Sequence, residues 1–196
     1  MDTSELDRLI VQNLEDLDAV VHRTHAIEKV IWKHIGDAGR GWAHQHGWRA
    51  SPAEDEDECW VAPPAWQARG RDFWFEVHWG PGDEDTGAPG EPWFSLCRLA
   101  GVGGGRLCLW LRWNGLRPGD WKAAAVPRMD EIRDAGFRLS DGRLVPYLDC
   151  TPQPGAVAQG LAEGDLSVAY AHLRDAFDAA ARAVATFDPI LKKAAR

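Results

Sequence analysis

The side chains that could do chemistry lie far apart in the sequence. Glu76 and His78 alternate on one candidate strand, which is similar to the strand carboxylates of metal-dependent nucleases, although such sites usually carry a Lys where His78 stands. His44 and His46 form a His-Gln-His pair that could bind a metal ion together with Cys59 or His78. Zinc sites need three or four such ligands. A metal-dependent hydrolase is therefore an alternative function, and we assign no catalytic residue and no cofactor.

The most strongly charged segments are acidic. The chain holds 30 Asp and Glu against 22 Lys and Arg, a formal net charge of −8. Runs of like charge repel one another and stay in solvent, and a negative field steers association with a basic surface. We therefore predict a protein or ribonucleoprotein partner with a basic surface, with a solubilising role as the alternative. Direct nucleic-acid binding is not expected, because it needs clustered Lys and Arg. The predicted steering residues are Glu54, Asp55, Glu56, Asp57, Glu58, Asp83, Glu84 and Asp85.

Tryptophan is concentrated in the middle of the chain, where ten of the 11 Trp residues lie between Trp42 and Trp121. Aromatic and branched residues in short segments bounded by Gly and Pro favour strands. Asp-Gly at 141–142, between two short alternating runs, indicates a hairpin. The predicted strands before it are residues 59–62, 72–79, 93–99 and 106–113.

Alternation along these strands sorts their side chains onto two faces. If residues 93–99 pair with 106–113, one face collects apolar side chains and is expected to pack on helices. Trp and Arg dominate interface hot spots, so the other face is predicted to bind the partner. Its residues are Trp74, Glu76, His78, Trp93, Arg106, Trp110 and Arg112. The alternative is that another layer of the chain covers this face and places its Trp residues in the core.

Two long helices are predicted at the ends of the chain. Apolar residues recur at steps of three and four over 3–35, with an optional break near 23–25 and an end at Gly36 and Gly39. Near the C-terminus, apolar side chains follow a seven-residue repeat from Leu166 to Leu191. Pro189 is expected to break this helix or to restart it.

These segments predict a single α+β domain over residues 1–196. An antiparallel meander of four to six short strands would carry the long terminal helices, packed on one face or on each other. The predicted segments are an N-terminal helix at 1–38, an acidic linker loop at 39–57, a sheet with a short helix at 58–148, a Pro- and Gly-rich loop at 151–164, and a C-terminal helix at 165–191.

The predicted function is a non-enzymatic, cytoplasmic binding or inhibitor protein that occludes a macromolecular partner. Bacterial immunity proteins, antitoxin-like inhibitors and phage inhibitors of host defence are similar in style, being small, acidic, aromatic-rich and without a catalytic constellation, and the likeness is an analogy and not a family match. No apolar run approaches the roughly 20 residues of a membrane span. The acidic start carries no basic leader, and four cysteines without a CxxC pair suit a reducing compartment. Besides the hydrolase, a structural alternative is a homodimer whose seam combines the repeat at 166–191 with part of the apolar stripe at 6–35.

Overall fold

The chain folds as an α+β protein in which helices cover an antiparallel sheet. The computed structural model describes residues 3–68, 71–81 and 95–194. The helices are α1 (Thr3–Gln12), α2 (Leu14–His46), α3 (Ser95–Leu99), α4 (Pro118–Ala125), α5 (Met129–Asp134), α6 (Pro154–Glu163) and α7 (Ala171–Ala194). The strands are β1 (Arg49–Ala50), β2 (Trp60–Ala62), β3 (Gln67–Ala68), β4 (Arg71–Trp79), β5 (Leu107–Trp113), β6 (Arg138–Leu139) and β7 (Pro146–Asp149). The predicted class, with long helices at both ends of an antiparallel sheet, is confirmed.

The sheet has the strand order β1-β2-β4-β5-β7-β6, and the short β3 pairs with the start of β4. The long hairpin of β4 and β5 forms its centre, with Phe75 opposite Leu111. β6 and β7 form the hairpin predicted around residues 141–142, but β7 lies against β5. The sheet therefore departs from a simple meander at this edge.

Alternation places the apolar side chains of the central strands against the helices. Phe73, Phe75 and Val77 of β4 are buried as predicted. The seven-residue repeat packs in the same core, so a dimer seam built from that repeat is wrong. Its members that are buried in α7 are Leu173, Phe177, Ala180, Phe187 and Leu191. Because Ile190 and Leu191 are held in the core, the helix also continues through Pro189 to Ala194.

The N-terminal helices follow one another with a single interruption. It lies at Asn13 and not near residues 23–25. The predicted end at Gly36 and Gly39 is also wrong, because α2 continues to His46. It stops at Gly47, whose φ of 66° forms a left-handed C-cap.

Gly39 serves close packing inside α2. A Cβ at this position would lie 2.6 Å from Cys59 Sγ, so only glycine lets the helix approach the segment before β2 this closely. The predicted linker loop at 39–57 is therefore wrong for residues 39–46, which belong to α2.

The segment before β5 is a helix where a strand was predicted. Glu28 of α2 accepts hydrogen bonds from the Ser95 hydroxyl at 2.7 Å and from the Leu96 N–H at 2.9 Å. This carboxylate satisfies one of the N-terminal backbone N–H groups of α3, as a cap does. The predicted pairing of 93–99 with 106–113 is therefore wrong, and β5 pairs with β4 and β7.

The expected loop at 151–164 contains helix α6. Pro154 lies in its first turn, where a missing N–H is tolerated, and Gly164 adopts a left-handed φ of 74° at its end. Val157 is buried against the core. Pro154 and Gly164 therefore mark the two ends of a short helix.

Candidate binding site on the outer face of the sheet

The sheet face away from the core carries the predicted polar and aromatic side chains. β4 contributes half-buried Trp74 and Glu76 and exposed His78. The register sets Trp60 opposite Glu76 and Trp74 opposite Arg112, so the neighbouring strands extend this surface. We call it the outer face, and it comprises Arg49, Trp60, Trp74, Glu76, His78, Trp110, Arg112 and Tyr147.

The Trp110 side chain is not exposed for binding a partner. It is only 7% exposed, and its ring centre lies 4.8 Å from that of Tyr147. Its Nε1 donates to the Trp79 carbonyl oxygen at 2.7 Å, and Val145 packs in the same small cluster. The prediction of an exposed indole is wrong here because β7 lies beside β5 and sets Tyr147 against it. Trp93 lies outside the described residues.

Glu76 links two of the predicted anchors. Its Oε2 accepts a hydrogen bond from Trp74 Nε1 at 2.8 Å and lies 3.9 Å from Arg112 Nε. The Arg112 guanidinium also lies over the ring of Trp110, 5.2 Å from its centre. Side chains held in this way lose less conformational entropy when a partner binds.

Carboxylates from three separate segments converge at one edge of the outer face, in a cleft of about 680 Å³. Glu28 comes from α2, Glu56, Asp57 and Glu58 come from the loop between β1 and β2, and Glu76 comes from β4. We call this the acidic cleft. Its other lining residues are His25, Lys29, Trp32, Cys59, Val77, His78, Trp79 and Ser95. The structure thus brings part of the predicted acidic run together with the predicted strand residues Glu76 and His78.

Negative charges in the acidic cleft act on one another. Loss of hydration raises the pKa of Glu58, and the charges of Asp55, Glu76 and Asp57 raise it further. A carboxyl group whose pKa is raised by like charges lies where the potential attracts cations. Glu54 and Asp55 belong to the same loop but do not line the cleft. The remaining predicted steering residues, Asp83, Glu84 and Asp85, lie outside the described residues.

Two tryptophans form an aromatic wall of the acidic cleft. The ring centres of Trp32 and Trp79 are 5.7 Å apart, and the buried Arg98 lies 5.6 Å from the centre of the Trp79 ring. The sequence pattern does not place Trp32 or Glu28 beside the strand residues of this cleft. Both lie on α2, and nothing in their local spacing indicates that α3 and β4 pack beside them.

A second cleft, of about 650 Å³, adjoins the first and has the opposite charge. Arg106, Arg112 and Arg143 line it, and Arg106 donates a hydrogen bond to the Pro81 carbonyl oxygen. We call this the basic cleft. Its other lining residues are His78, Trp79, Gly80, Trp110, Leu139, Ser140, Asp141, Val145 and Tyr147. Because His78 and Trp79 line both clefts, the charge of the surface changes sign across these two side chains.

The histidines of the hydrolase alternative lie elsewhere. His46 stacks on Trp42 with 4.1 Å between ring centres, and its Nδ1 lies 2.8 Å from the Trp42 carbonyl oxygen. His44 is exposed on the same helix, and neither histidine lines a cleft with His78. Within residues 3–68, 71–81 and 95–194, no three His, Cys, Asp or Glu side chains are grouped so that they could hold a metal ion.

Comparison with known proteins identifies no relative: no family model, curated protein or solved structure matches this chain. Among the helices that the structure describes, none combines the length and the apolar character needed to cross a bilayer.

Proposed function

We propose that this is a non-enzymatic binding protein that inhibits a macromolecular partner by occluding a basic part of its surface. The observation that carries the proposal is the convergence of Glu28, the 56–58 run and Glu76 on one cleft. Carboxylates so placed form charge-assisted hydrogen bonds with Arg and Lys side chains. Trp32 and Trp79 add an aromatic wall on which a guanidinium or an aliphatic stem packs.

The opposite charge of the basic cleft favours a folded partner over a small ligand. A partner that covers both clefts must present basic and acidic groups on either side of His78 and Trp79. Such a pattern of charge gives specificity as well as rapid association. A protein or a ribonucleoprotein complex can carry it, and occlusion of that surface would block its normal use. We place the protein in the cytoplasm, because buried thiols such as those of Cys59 and Cys150 suit a reducing compartment.

The test is calorimetric titration with a synthetic arginine-rich peptide at about 0.15 M salt, where the screening length is about 8 Å. We expect the double variant E58Q/E76Q to bind the peptide at least about tenfold more weakly than the wild type, a loss of about 1.4 kcal/mol. Glutamine keeps the shape of each side chain and an acceptor for Trp74, and removes only the charge. The matched control is D130N/E163Q, which removes two negative charges from exposed positions away from the cleft.

The control is expected to bind within about twofold of the wild type, since exposed charges outside the site are largely screened. Lower pH is expected to weaken wild-type binding, because protonation removes the negative charge of Glu58. The loss starts at a higher pH than an ordinary glutamate would give, since the pKa of Glu58 is raised. Equal losses in both double variants would show that only net charge attracts the peptide, which would contradict a role for the cleft.

A further inference from the structure

Helix α1 and the first part of α2 make no contacts that would bury them. Every residue from Ser4 to Arg23 is exposed, and the first buried side chain is Thr24. We call residues 3–23 the arm. At 1.5 Å per residue it extends about 30 Å.

The arm carries a continuous apolar stripe. Its large apolar side chains are between 38% and 57% exposed, and they recur at steps of three and four. They are Leu6, Leu9, Ile10, Leu14, Leu17, Val20 and Val21. Ile10, Leu17 and Thr24, seven residues apart, mark the centre line of the stripe, as in a coiled-coil seam. A contiguous apolar face of this length indicates an interaction surface.

An apolar groove of about 380 Å³ lies where the arm joins the rest of the protein. One wall continues the stripe through Val20, Thr24 and Ile27 of α2. The other walls come from α3, α6 and the segments next to them. The residues that line these walls are Leu96, Cys97, Ala100, Val102, Pro154, Val157, Ala158 and Leu161. The groove is therefore open to a helix that lies along the stripe.

We propose that two copies of the chain dimerise through antiparallel arms, with residues 10–17 of each arm lying along the groove of the other copy. In the register that sets Leu17 opposite Val20 of the second copy, Ile10 lies opposite Ile27 of that copy. Because the groove runs along α2 from Val20 to Ile27, this one two-fold arrangement covers both the apolar seam and the groove. Such a self-complementary arrangement is the isologous contact of a symmetric dimer.

The charges of the arm favour the antiparallel direction. Over residues 4–18 the acidic side chains outnumber the single basic one, Arg8, and over residues 22–33 the basic side chains outnumber the single acidic one, Glu28. The acidic set is Glu5, Asp7, Glu15, Asp16 and Asp18, and the basic set is His22, Arg23, His25, Lys29 and Lys33. The proposed register sets Asp16 beside Arg23 of the second copy, twice in each dimer. Parallel arms would align like charges instead. A membrane surface is a poorer occupant, because amphipathic helices that bind lipid carry Lys and Arg on their polar face.

The first test measures mass by light scattering at micromolar concentration. We expect the wild type to give twice the chain mass of 21.7 kDa, and the variant Leu17→Asp to give 21.7 kDa. Leu17 is exposed and outside the core, so the thermal unfolding of the rest of the protein should not change. A monomeric wild type would overturn the proposal, and co-sedimentation of that monomer with anionic phospholipid vesicles would assign the arm to a lipid surface.

The second test exchanges the charges in the proposed contact. Asp16→Arg alone and Arg23→Asp alone each set like charges together, so both variants should shift towards 21.7 kDa. The double variant D16R/R23D restores opposite charges between the copies and should recover the dimer mass. Failure of the double variant to recover it would overturn the antiparallel register.

The third test locates the arm in the groove. Ile10→Cys is expected to form a disulfide with Cys97 of the second copy under mild oxidation, seen as a dimer on a non-reducing gel. Within one chain, the 14 helical residues from Ile10 to the groove at Thr24 span about 21 Å, which excludes an internal bond. Cys97→Ser in the same background should abolish the dimer band. A monomer band alone in the Ile10→Cys protein would overturn the docking of the arm in the groove.

Discussion

Replacing Trp121 with alanine is expected to lower the free energy of unfolding by about 3–5 kcal/mol. The Trp121 ring is fully buried and stacks on Trp113 with 4.9 Å between ring centres. Its Nε1 donates to the Leu144 carbonyl oxygen at 3.0 Å. Leu144 has a φ of 56°, unusual for a residue with a side chain, so this hydrogen bond also holds a strained turn.

Urea unfolding followed by circular dichroism measures the loss. Trp74→Ala is the matched control, because this indole is half-buried on the outer face. We expect the control to cost about 1 kcal/mol, in the range of substitutions outside the core. Similar losses at the two positions would contradict the division of the tryptophans between core and outer face.

Two glycines of α2, only two positions apart, are expected to respond to alanine with opposite signs. Gly39→Ala should lower the free energy of unfolding by about 1–3 kcal/mol, since the added Cβ would lie 2.6 Å from Cys59 Sγ and 3.5 Å from the Phe177 ring. Gly41→Ala should raise it by about 0.5–1 kcal/mol, because nothing lies within 4 Å of its Cβ and alanine favours the helix.

A double-mutant cycle with Cys59→Ala tests whether the contact with Cys59 causes the loss of stability in Gly39→Ala. Removing the sulfur should make Gly39→Ala less costly than in the wild-type background, whereas Gly41→Ala should be unaffected. The same cost for Gly39→Ala in both backgrounds would show that the close approach of α2 to Cys59 is not its cause.

The sequence predicted the central strands well because local alternation decides which side chains face the core. Phe73, Phe75 and Val77 are buried, and Trp74 and Glu76 lie on the other face. The segment at 93–99 was predicted wrongly in its described part, because a tertiary contact decides its structure. Glu28, far away in the chain, supplies the acceptor for the N-terminus of α3.

The helix ends show a different limit of sequence analysis. The position of Gly39 in the sequence predicts a C-cap, although its lack of a side chain serves packing against Cys59. The composition around Pro154 and Gly164 predicts a loop, although a proline at the start and a left-handed glycine at the end are signals of a helix. The first error needs the tertiary structure to correct it, while the second could have been avoided from the sequence.

The acidic cleft could be predicted only in part. The run at 56–58 and the outward direction of Glu76 follow from composition and alternation. That α2 passes beside them and adds Glu28 and Trp32 depends on long-range packing. Burial of Trp110 depends likewise on the placement of β7 beside β5, which sets Tyr147 against the indole.

Affinity capture from the native cell, quantified by mass spectrometry with three bait proteins, tests the role of the acidic cleft most directly. The baits are the wild type, E58Q/E76Q and the charge-matched D130N/E163Q. We expect one basic protein or ribonucleoprotein to be recovered in stoichiometric amount with the wild type and the matched control, and to be lost with E58Q/E76Q. Equal recovery with all three baits, or no stoichiometric partner with any of them, would contradict binding through this cleft.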